Sequence, residues 1–134
     1  MGNVRFATAI HILTLLAYLK EEILSSEYIA GSININPVLV RKELSNLRQH
    51  GLVQSREGKG GGAMLAKSPK DILLADIYNA VRQAPLLGRS NTPNPDCAVG
   101  QQINKHIEQL YDKAEQTLVD QLGKTTLADF VQKF

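Results

Sequence analysis

The segment SREGKGGGAMLAKS, residues 55–68, places Lys59 among four glycines between Gly58 and Gly62. A lysine among glycines is found in loops that cradle phosphates, and glycines are also needed at the tip of a tight hairpin. A Walker A loop requires Gly-Lys-Ser/Thr, but Lys59 is followed by Gly60. The segment is therefore not a Walker A loop.

The same glycines come closer to a dinucleotide-binding fingerprint. Gly58, Gly60 and Ala63 have the G-x-G-x-x-A spacing, and Asp76 follows as an acidic residue. That fingerprint must open a helix, whereas AMLAKSP is strand-like and stops at Pro69. These features favour a hairpin over a nucleotide site.

Hydrophobic spacing and capping residues predict the flanking elements. Asn36-Pro37 is a helix start and Gly51 a helix end. The predicted elements are helices at about 4–19, 25–32, 36–50, 74–83 (ended by Pro85) and 99–122, strands at 52–55 and 63–66, a polar and mobile loop at 88–96, and a short terminal helix after Thr125-Thr126. The residues expected to pack in the core include Phe6, Tyr18, Tyr28, Ile29 and Tyr78.

Three helices followed by a two-stranded hairpin is the order of a winged helix-turn-helix. The predicted fold is mostly α with a small β-hairpin: a winged helix-turn-helix head plus a long C-terminal dimerisation helix. We expect a DNA-binding domain at residues 1–84, a flexible loop at 85–98, and a dimerisation helix with a tail at 99–134.

The charge distribution points to a polyanion. The net charge is +2, but residues 36–67 carry +4 and the remainder −2. A solvated surface with clustered charge is the alternative. One cysteine, no long apolar run and no signal peptide favour the cytoplasm and exclude a transmembrane helix. Ser/His/Asp, Cys/His, paired-carboxylate and metal-ligand patterns are not apparent, so we expect neither an enzyme nor a metal protein.

The segment LSNLRQHGLVQSREGKGGGAMLAKSPKDILLADIYNAV resembles the signature of the Rrf2 family of bacterial winged-helix transcriptional regulators. The matching residues are Leu47, Arg48, Gly51, Leu52, Val53 and Ser55, the wing residues Gly58, Gly60, Gly61 and Gly62, and Ile72, Leu74 and Ile77. The resemblance extends over nearly the whole chain, through Asn94-Pro95 and Cys97 to the long helix. It implies a dimeric regulator that binds double-stranded DNA.

Three features depart from that family pattern. Glu57 precedes Gly58 where the family places arginine, and Ala63 stands where it places an aromatic residue. Iron–sulfur members carry three cysteines before the long helix, whereas this chain has only Cys97. The resemblance therefore implies the DNA-binding scaffold without an iron–sulfur cofactor, and we expect no other cofactor.

The first turn of the helix after Asn36 is expected to enter the major groove, with the wing on the DNA backbone. The candidate readers are Asn36, Val38, Arg41 and Lys42, and Pro37 is a further candidate DNA-binding residue. The candidate backbone contacts are Ser45, Arg48, Arg56, Lys59, Gly60 and Gly61. Arg5 is a further candidate for backbone contact. For each, a solvated surface residue is the alternative, and a winged-helix protein–protein interaction module is the alternative function.

The long helix carries an apolar stripe that is longer than the small head can cover. Part of the stripe is therefore expected to pack against a second chain, which favours a homodimer. The stripe residues are Ile103, Ile107, Leu110, Ala114 and Leu118. A helix folded back on its own domain is the alternative. Cys97 is either a redox sensor beside a loop or an inert small residue. A small-molecule effector between head and long helix stays open, as does the choice between repression and activation.

Overall fold

The computed structural model describes residues 3–83 and 86–134. Its elements are α1 (Arg5–Tyr18), α2 (Ser26–Ile33), α3 (Pro37–Gln49), β1 (Val53–Arg56), β2 (Gly62–Leu65), a single 3-10 turn (Pro69–Asp71), α4 (Leu74–Val81), α5 (Ile103–Leu122) and α6 (Leu127–Val131). The predicted fold, mostly helical with one small hairpin, is confirmed. Pro85, which was expected to end α4, lies outside the described residues.

Side-chain caps fix the helix-turn-helix unit formed by α2 and α3. The Ser25 hydroxyl accepts a hydrogen bond from the backbone N–H of Tyr28 (3.1 Å) at the start of α2. Asn34 ends α2 in the left-handed conformation, with φ 64°. The Asn36 side chain then accepts from the N–H of Val38 (2.8 Å), so the N-cap of α3 lies two residues after the C-cap of α2. The tight turn fixes the position of α3 relative to α2.

The hairpin is an antiparallel pair of four-residue strands. Val53 pairs with Leu65 and Arg56 with Gly62, which leaves residues 57–61 as the tip. The free edge of β2 is held by the segment between α1 and α2: Ala63 exchanges two backbone hydrogen bonds with Leu24, of 2.8 and 3.0 Å. The wing is therefore anchored to the helical head along β2.

The core lies where α1 meets α3, α4 and the wing. It consists of fully buried aliphatic side chains, the largest being Ile12, Leu13, Leu16, Ile29, Val40, Leu47, Val53, Ile72, Ile77, Val81 and Leu127. Burial of these side chains is the main stabilising term of the fold, at roughly 1.5–3 kcal/mol each.

Helix α6 returns to the head. Its Thr126 side chain caps the helix by accepting from the N–H of Asp129 (3.0 Å). The N–H of Leu127 donates to the carbonyl of Ile72 (2.7 Å), and the side chain of Leu127 is fully buried. The terminal segment after α5 thus adds to the core of the head.

Two expected core residues are not buried. Tyr18 is 58% exposed and Tyr28 is 52% exposed. Tyr18 lies on the side of α1 that faces α6, away from Ala9, Leu13 and Leu16. Helix α2 makes its core contacts through Ile29 and Ala30 instead of Tyr28. Those two predictions were wrong, whereas Tyr78 and Ile29 are buried and Phe6 packs on the core as expected.

Helix α5 begins later than the apolar spacing indicated. Residues 99–102 form turns, in which the N–H of Ile103 donates to the carbonyl of Val99, and the helix proper runs for 20 residues from Ile103. Its length is about 30 Å. Within the described residues, no helix is both long and apolar enough to cross a membrane.

Candidate nucleic-acid interface

Helix α3 has one buried and one exposed face. Val40, Leu44 and Leu47 are buried against the head. On the other side, the first turn exposes Val38 (61%) and the next residue, Leu39 (53%). Apolar side chains left in water at the start of a helix-turn-helix recognition helix suit contact with thymine methyl groups. Asn36, Arg41 and Lys42 are also exposed, and Pro37 is half-buried.

Arg41 is held by an ion pair within the helix-turn-helix unit. Its Nη2 donates to Oε1 of Glu27, in the first turn of α2, at 2.7 Å. A backbone N–H and then the hydrogen bond and charge of Arg41 lower the pKa of Glu27 below its ordinary value. Both side chains are more than half exposed, so solvent screens the pair and leaves Arg41 free to exchange partners.

A buried carboxylate positions α3 beneath this surface. Glu43 is 5% exposed, and its carboxylate accepts from Arg5 Nε (3.1 Å), Arg5 Nη2 (3.4 Å) and Asn46 Nδ2 (2.9 Å). Asn46 Nδ2 also donates to the carbonyl of Ala80 on α4 (2.9 Å). One network therefore joins α1, α3 and α4 and fixes the orientation of α3 in the head. Arg5, a candidate backbone contact, is engaged in it.

The second half of α3 is tied to the wing. Arg48 Nη1 donates to the Ser55 hydroxyl on β1 at 3.3 Å, and both residues are exposed. Ser45 is half-buried, one turn before Arg48. A line of polar groups therefore runs from α3 onto the wing, which suits a continuous contact with a DNA backbone.

The wing tip is shaped by its glycines. Gly60 has φ 77°, a conformation that glycine adopts without steric cost. The N–H of Gly61 donates to the carbonyl of Gly58 (3.0 Å) and closes the turn. Arg56, Glu57 and Lys59 are exposed around it. The tip and the adjoining end of β1 thus present two cations, one carboxylate and bare backbone.

The first residues of β2, next to the wing tip, must be small for a different reason. A Cβ placed on Gly62 would lie 2.3 Å from the carbonyl oxygen of Leu24. Ala63, where the family places an aromatic residue, is 1% exposed and lies between β1 and Leu24. Small side chains here let the wing lie directly on the backbone of the head.

A second surface lies on α5. One side of this helix packs on α4, where Glu115 accepts hydrogen bonds from Tyr78 (3.3 Å) and Arg82. The apolar stripe lies about a quarter turn away around the helix. No residue of α5 is fully buried: Leu110 is 63% and Ile103 36% exposed, and Ile107, Ala114 and Leu118 are half-buried. Among the described residues, nothing covers this stripe completely.

The remaining candidate residues are peripheral. Cys97 is an exposed free thiol in the turns before α5. The loop at 88–96 is linked to α5 through Asn104, whose Nδ2 donates to the carbonyl of Asn91 (2.8 Å). His11 bonds to the Ser32 hydroxyl on α2, and His50 bonds to the carbonyl of Asn46 at the end of α3. The described part of the chain holds no group of three or more His, Cys, Asp or Glu side chains placed to bind a metal ion.

Sequence reasoning missed Glu43, Asn46, Glu27 and Leu39. Glu43 left a readable signal, because it falls on the apolar face with Val40, Leu44 and Leu47. An acidic residue at that position must be paired when buried. The main partner of its carboxylate, Arg5, lies on another helix, so the spacing of residues within α3 could not identify it.

The fold and this surface define a winged helix-turn-helix DNA-binding transcriptional regulator. The profile of the Rrf2 family, described as "Iron-dependent Transcriptional regulator", matches residues 3–133. The chain belongs to the Rrf2 family.

Individual relatives agree with this assignment. The chain is 39% identical over 130 residues to YwnA of Bacillus subtilis (strain 168), named as an HTH-type transcriptional regulator, and the match covers 96% of each chain. The crystal structure of a protein described as DNA-binding has 36% identity and a TM-score of 0.77, covering 94% of this chain and 97% of that one. CymR, the global cysteine regulator of B. subtilis, shares the fold at 23% identity, with a TM-score of 0.69 and coverage of 100% and 98%.

A thiolate-held iron–sulfur cluster does not fit this chain. Iron–sulfur clusters are held by several thiolates, and Cys97 is the single cysteine. The description of the family as transcriptional regulators applies, and the chain is not an enzyme.

Proposed function

We propose that this chain is a sequence-specific repressor that binds a near-palindromic operator as a homodimer and acts by blocking promoter access. The observation that carries the proposal is the start of α3, where Val38, Leu39, Arg41 and Lys42 are exposed in the first two turns while Val40, Leu44 and Leu47 are buried. Residues 1–84 would contact DNA, residues 85–98 would connect, and residues 99–134 would hold the dimer. A cytoplasmic location is part of this proposal.

The α3 residues would divide by role. Arg41 and Lys42 would contact guanine, and Val38 with Leu39 would contact thymine methyl groups. Asn36 and Pro37 would set the entry of the helix into the groove. Since Arg41 is already paired with Glu27 at 2.7 Å, that carboxylate would orient the guanidinium until DNA competes for it.

The wing and the end of α3 would hold the DNA backbone. Arg48, Arg56 and Lys59 supply the cations, and Gly60 and Gly61 allow close approach of the backbone. Ser45 would add a hydroxyl contact. Glu57 opposes these cations at the tip, so the wing of this chain would grip a phosphate backbone less strongly than one with arginine there.

The dimer is supported by the uncovered apolar stripe on α5. Pairing Ile103, Ile107, Leu110, Ala114 and Leu118 with their copies about a two-fold axis would remove that surface from water. A dimer would also set two α3 helices about 34–36 Å apart, one turn of DNA, which is why a near-palindrome is proposed.

A gel-shift series with fragments of the source genome, including the chain's own promoter, tests the function. Specific retardation that weakens steeply with salt is expected. Arg41→Ala should cost about 1–3 kcal/mol and relax the preferred sequence, whereas Lys59→Ala should weaken all fragments alike and lower the salt slope by about 1.

Lys113→Ala, an exposed cation on α5, is the matched control and should change neither property. Retardation of no fragment would favour a protein–protein interaction module. If Arg41→Ala leaves the preferred sequence unchanged, the assignment of the reading residues is wrong.

A further inference from the structure

The first turn of α2 places a carboxylate beside the exposed side of α3. Glu27 Oε1 accepts from Arg41 Nη2 at 2.7 Å, although the two residues are 14 positions apart in the chain. Arg41 and Arg48 lie about two turns apart on the same side of α3, and Arg48 bonds to Ser55 of the wing. Glu27 therefore lies along the side of α3 that continues onto the wing. A negative charge there lowers the attraction of this surface to DNA phosphates.

The carboxylate of Glu27 is ionised at neutral pH. A backbone N–H and then the hydrogen bond from Arg41 hold the pKa of Glu27 below its ordinary value. No second cation of the described residues forms an ion pair with Glu27. A DNA phosphate that took Arg41 away would therefore leave Glu27 charged and without its partner beside other phosphates.

The pair leaves most of the donors of Arg41 unused. A guanidinium carries several N–H donors in a planar fork, and Glu27 takes one of them at Nη2. Within the described part of the chain, the Arg41 side chain makes no second hydrogen bond. Guanine presents O6 and N7, two uncharged acceptors that suit such a fork. Arg41 can therefore bond to guanine while it keeps its bond to Glu27.

Other DNA groups are less compatible with this pair. Adenine presents an amino donor beside N7, and that donor faces the N–H groups of the arginine. A phosphate accepts from arginine well, but sharing one guanidinium between a phosphate and Glu27 brings two anions close together. On a sequence without guanine at this position, Arg41 thus either stays unbonded to DNA or gives up Glu27. Both outcomes weaken binding of the wrong sequence.

We propose that Glu27 is a specificity-determining residue, which directs Arg41 to guanine and disfavours sites that lack guanine at that position. This inference rests on the proposed function and deepens it, because it assigns the selectivity of one α3 contact to a residue of α2. Glu27 is a positioning residue: it acts through the guanidinium of Arg41 and contacts no base itself.

Gel shifts with matched fragments test the inference on the full-length protein. The G·C pairs of a fragment selected from the source genome are replaced one at a time by A·T, and the pair at which Arg41→Ala loses discrimination is the one that Arg41 reads. Glu27→Ala should bind the fragment substituted at that pair about threefold more tightly, as expected for an exposed ion pair. Its affinity for the selected fragment should stay nearly unchanged, so discrimination at that pair falls about threefold.

Two further variants separate the bond from the charge. Glu27→Gln keeps an oxygen that accepts from Arg41 but removes the charge, so its discrimination should lie between those of the wild type and Glu27→Ala. Glu108→Gln is the matched control, because it removes the same charge from an exposed glutamate on α5. It should leave discrimination unchanged. Circular dichroism should show the wild-type helical content for all three variants.

A double-mutant cycle shows whether Glu27 acts through Arg41. In the Arg41→Ala background, Glu27→Ala should not alter discrimination at the same base pair. Equal strengthening of both fragments by Glu27→Ala would reduce its role to general repulsion of DNA, and equal weakening of both would reduce it to folding. Either result would overturn the inference, as would the same change in discrimination with and without Arg41.

Failure of the proposed function looks different, because the wild type would then retard no fragment selectively. If the wild type is selective but Arg41→Ala keeps every base preference, Arg41 is not a reader and the role of Glu27 falls with it. If Arg41→Ala loses discrimination and Glu27→Ala does not, the inference alone is overturned and the proposed function stands.

Discussion

The ion pair between Arg5 and the buried carboxylate of Glu43 can be broken by replacing either residue. We expect the two replacements to lower the free energy of unfolding by different amounts. Glu43 is almost fully buried, whereas the side chain of Arg5 is 41% exposed. Removing Arg5 leaves a buried carboxylate with Asn46 as its remaining donor. Removing Glu43 leaves a guanidinium that water can reach. Arg5→Ala should therefore be more damaging than Glu43→Leu.

The structure sets the magnitudes. Loss of one partner of a buried ion pair costs about 3–5 kcal/mol, and the partial exposure of Arg5 reduces this. We expect Arg5→Ala to lower the free energy of unfolding by about 2–3 kcal/mol. Leucine fills the buried volume of Glu43 without a charge, and Asn46 keeps its bond to the Ala80 carbonyl, so Glu43→Leu should cost less than about 1 kcal/mol.

Urea unfolding followed by far-ultraviolet circular dichroism measures both values, at one protein concentration because self-association adds to apparent stability. The double variant Arg5→Ala/Glu43→Leu should be more stable than Arg5→Ala alone, since the orphaned charge is gone. The reasoning is refuted if Glu43→Leu is as destabilising as Arg5→Ala, or if the double variant is the least stable of the three.

Three further predictions follow from other parts of the molecule. Leu110→Asp places a charge in the exposed stripe of α5 and should shift the chain from dimer to monomer in light scattering, with its helical signal retained; a persistent dimer would contradict the role of the stripe. Gly62→Ala should lower the free energy of unfolding by about 1–3 kcal/mol, because the new Cβ meets the Leu24 carbonyl at 2.3 Å; unchanged stability would show that the wing is not held there. Burial, and then the charge of Glu115, raise the pKa of Tyr78 above its ordinary value of 10.0, so the folded state resists ionisation and loses stability as pH rises through that raised pKa. In urea unfolding, the free energy of unfolding of the wild type relative to that of Tyr78→Phe should thus be constant below about pH 9 and fall above it. A difference that does not change with pH would show that the raised pKa of Tyr78 does not affect stability.

Local signals predicted the architecture well. Asn36-Pro37 placed the start of α3 correctly, because a capping side chain and a proline act within two residues of themselves. The strand-like AMLA after the glycines and the stop at Pro69 identified a wing and excluded a nucleotide loop. The strands lie within one residue of the predicted positions.

Features that depend on distant partners were not predicted. Tyr18 was expected in the core because it is a large aromatic residue on α1, yet its environment depends on where α6 returns, over 100 residues later in the chain. The bonds of Glu43 to Arg5 and of Arg41 to Glu27 likewise join separate helices. The spacing of apolar residues indicates which of them share a face of one helix. It does not indicate which other part of the chain packs against that face.

Footprinting on a fragment selected from the source genome tests the central claim most directly, since the claim is that two copies of α3 and the wing read one operator. The account predicts two protected half-sites of opposite orientation whose centres lie about one helical turn apart, at two protomers per site. It also predicts that Arg41→Ala loses discrimination at the base pairs protected by α3. A single unpaired site, or protection with no preferred sequence, would contradict it.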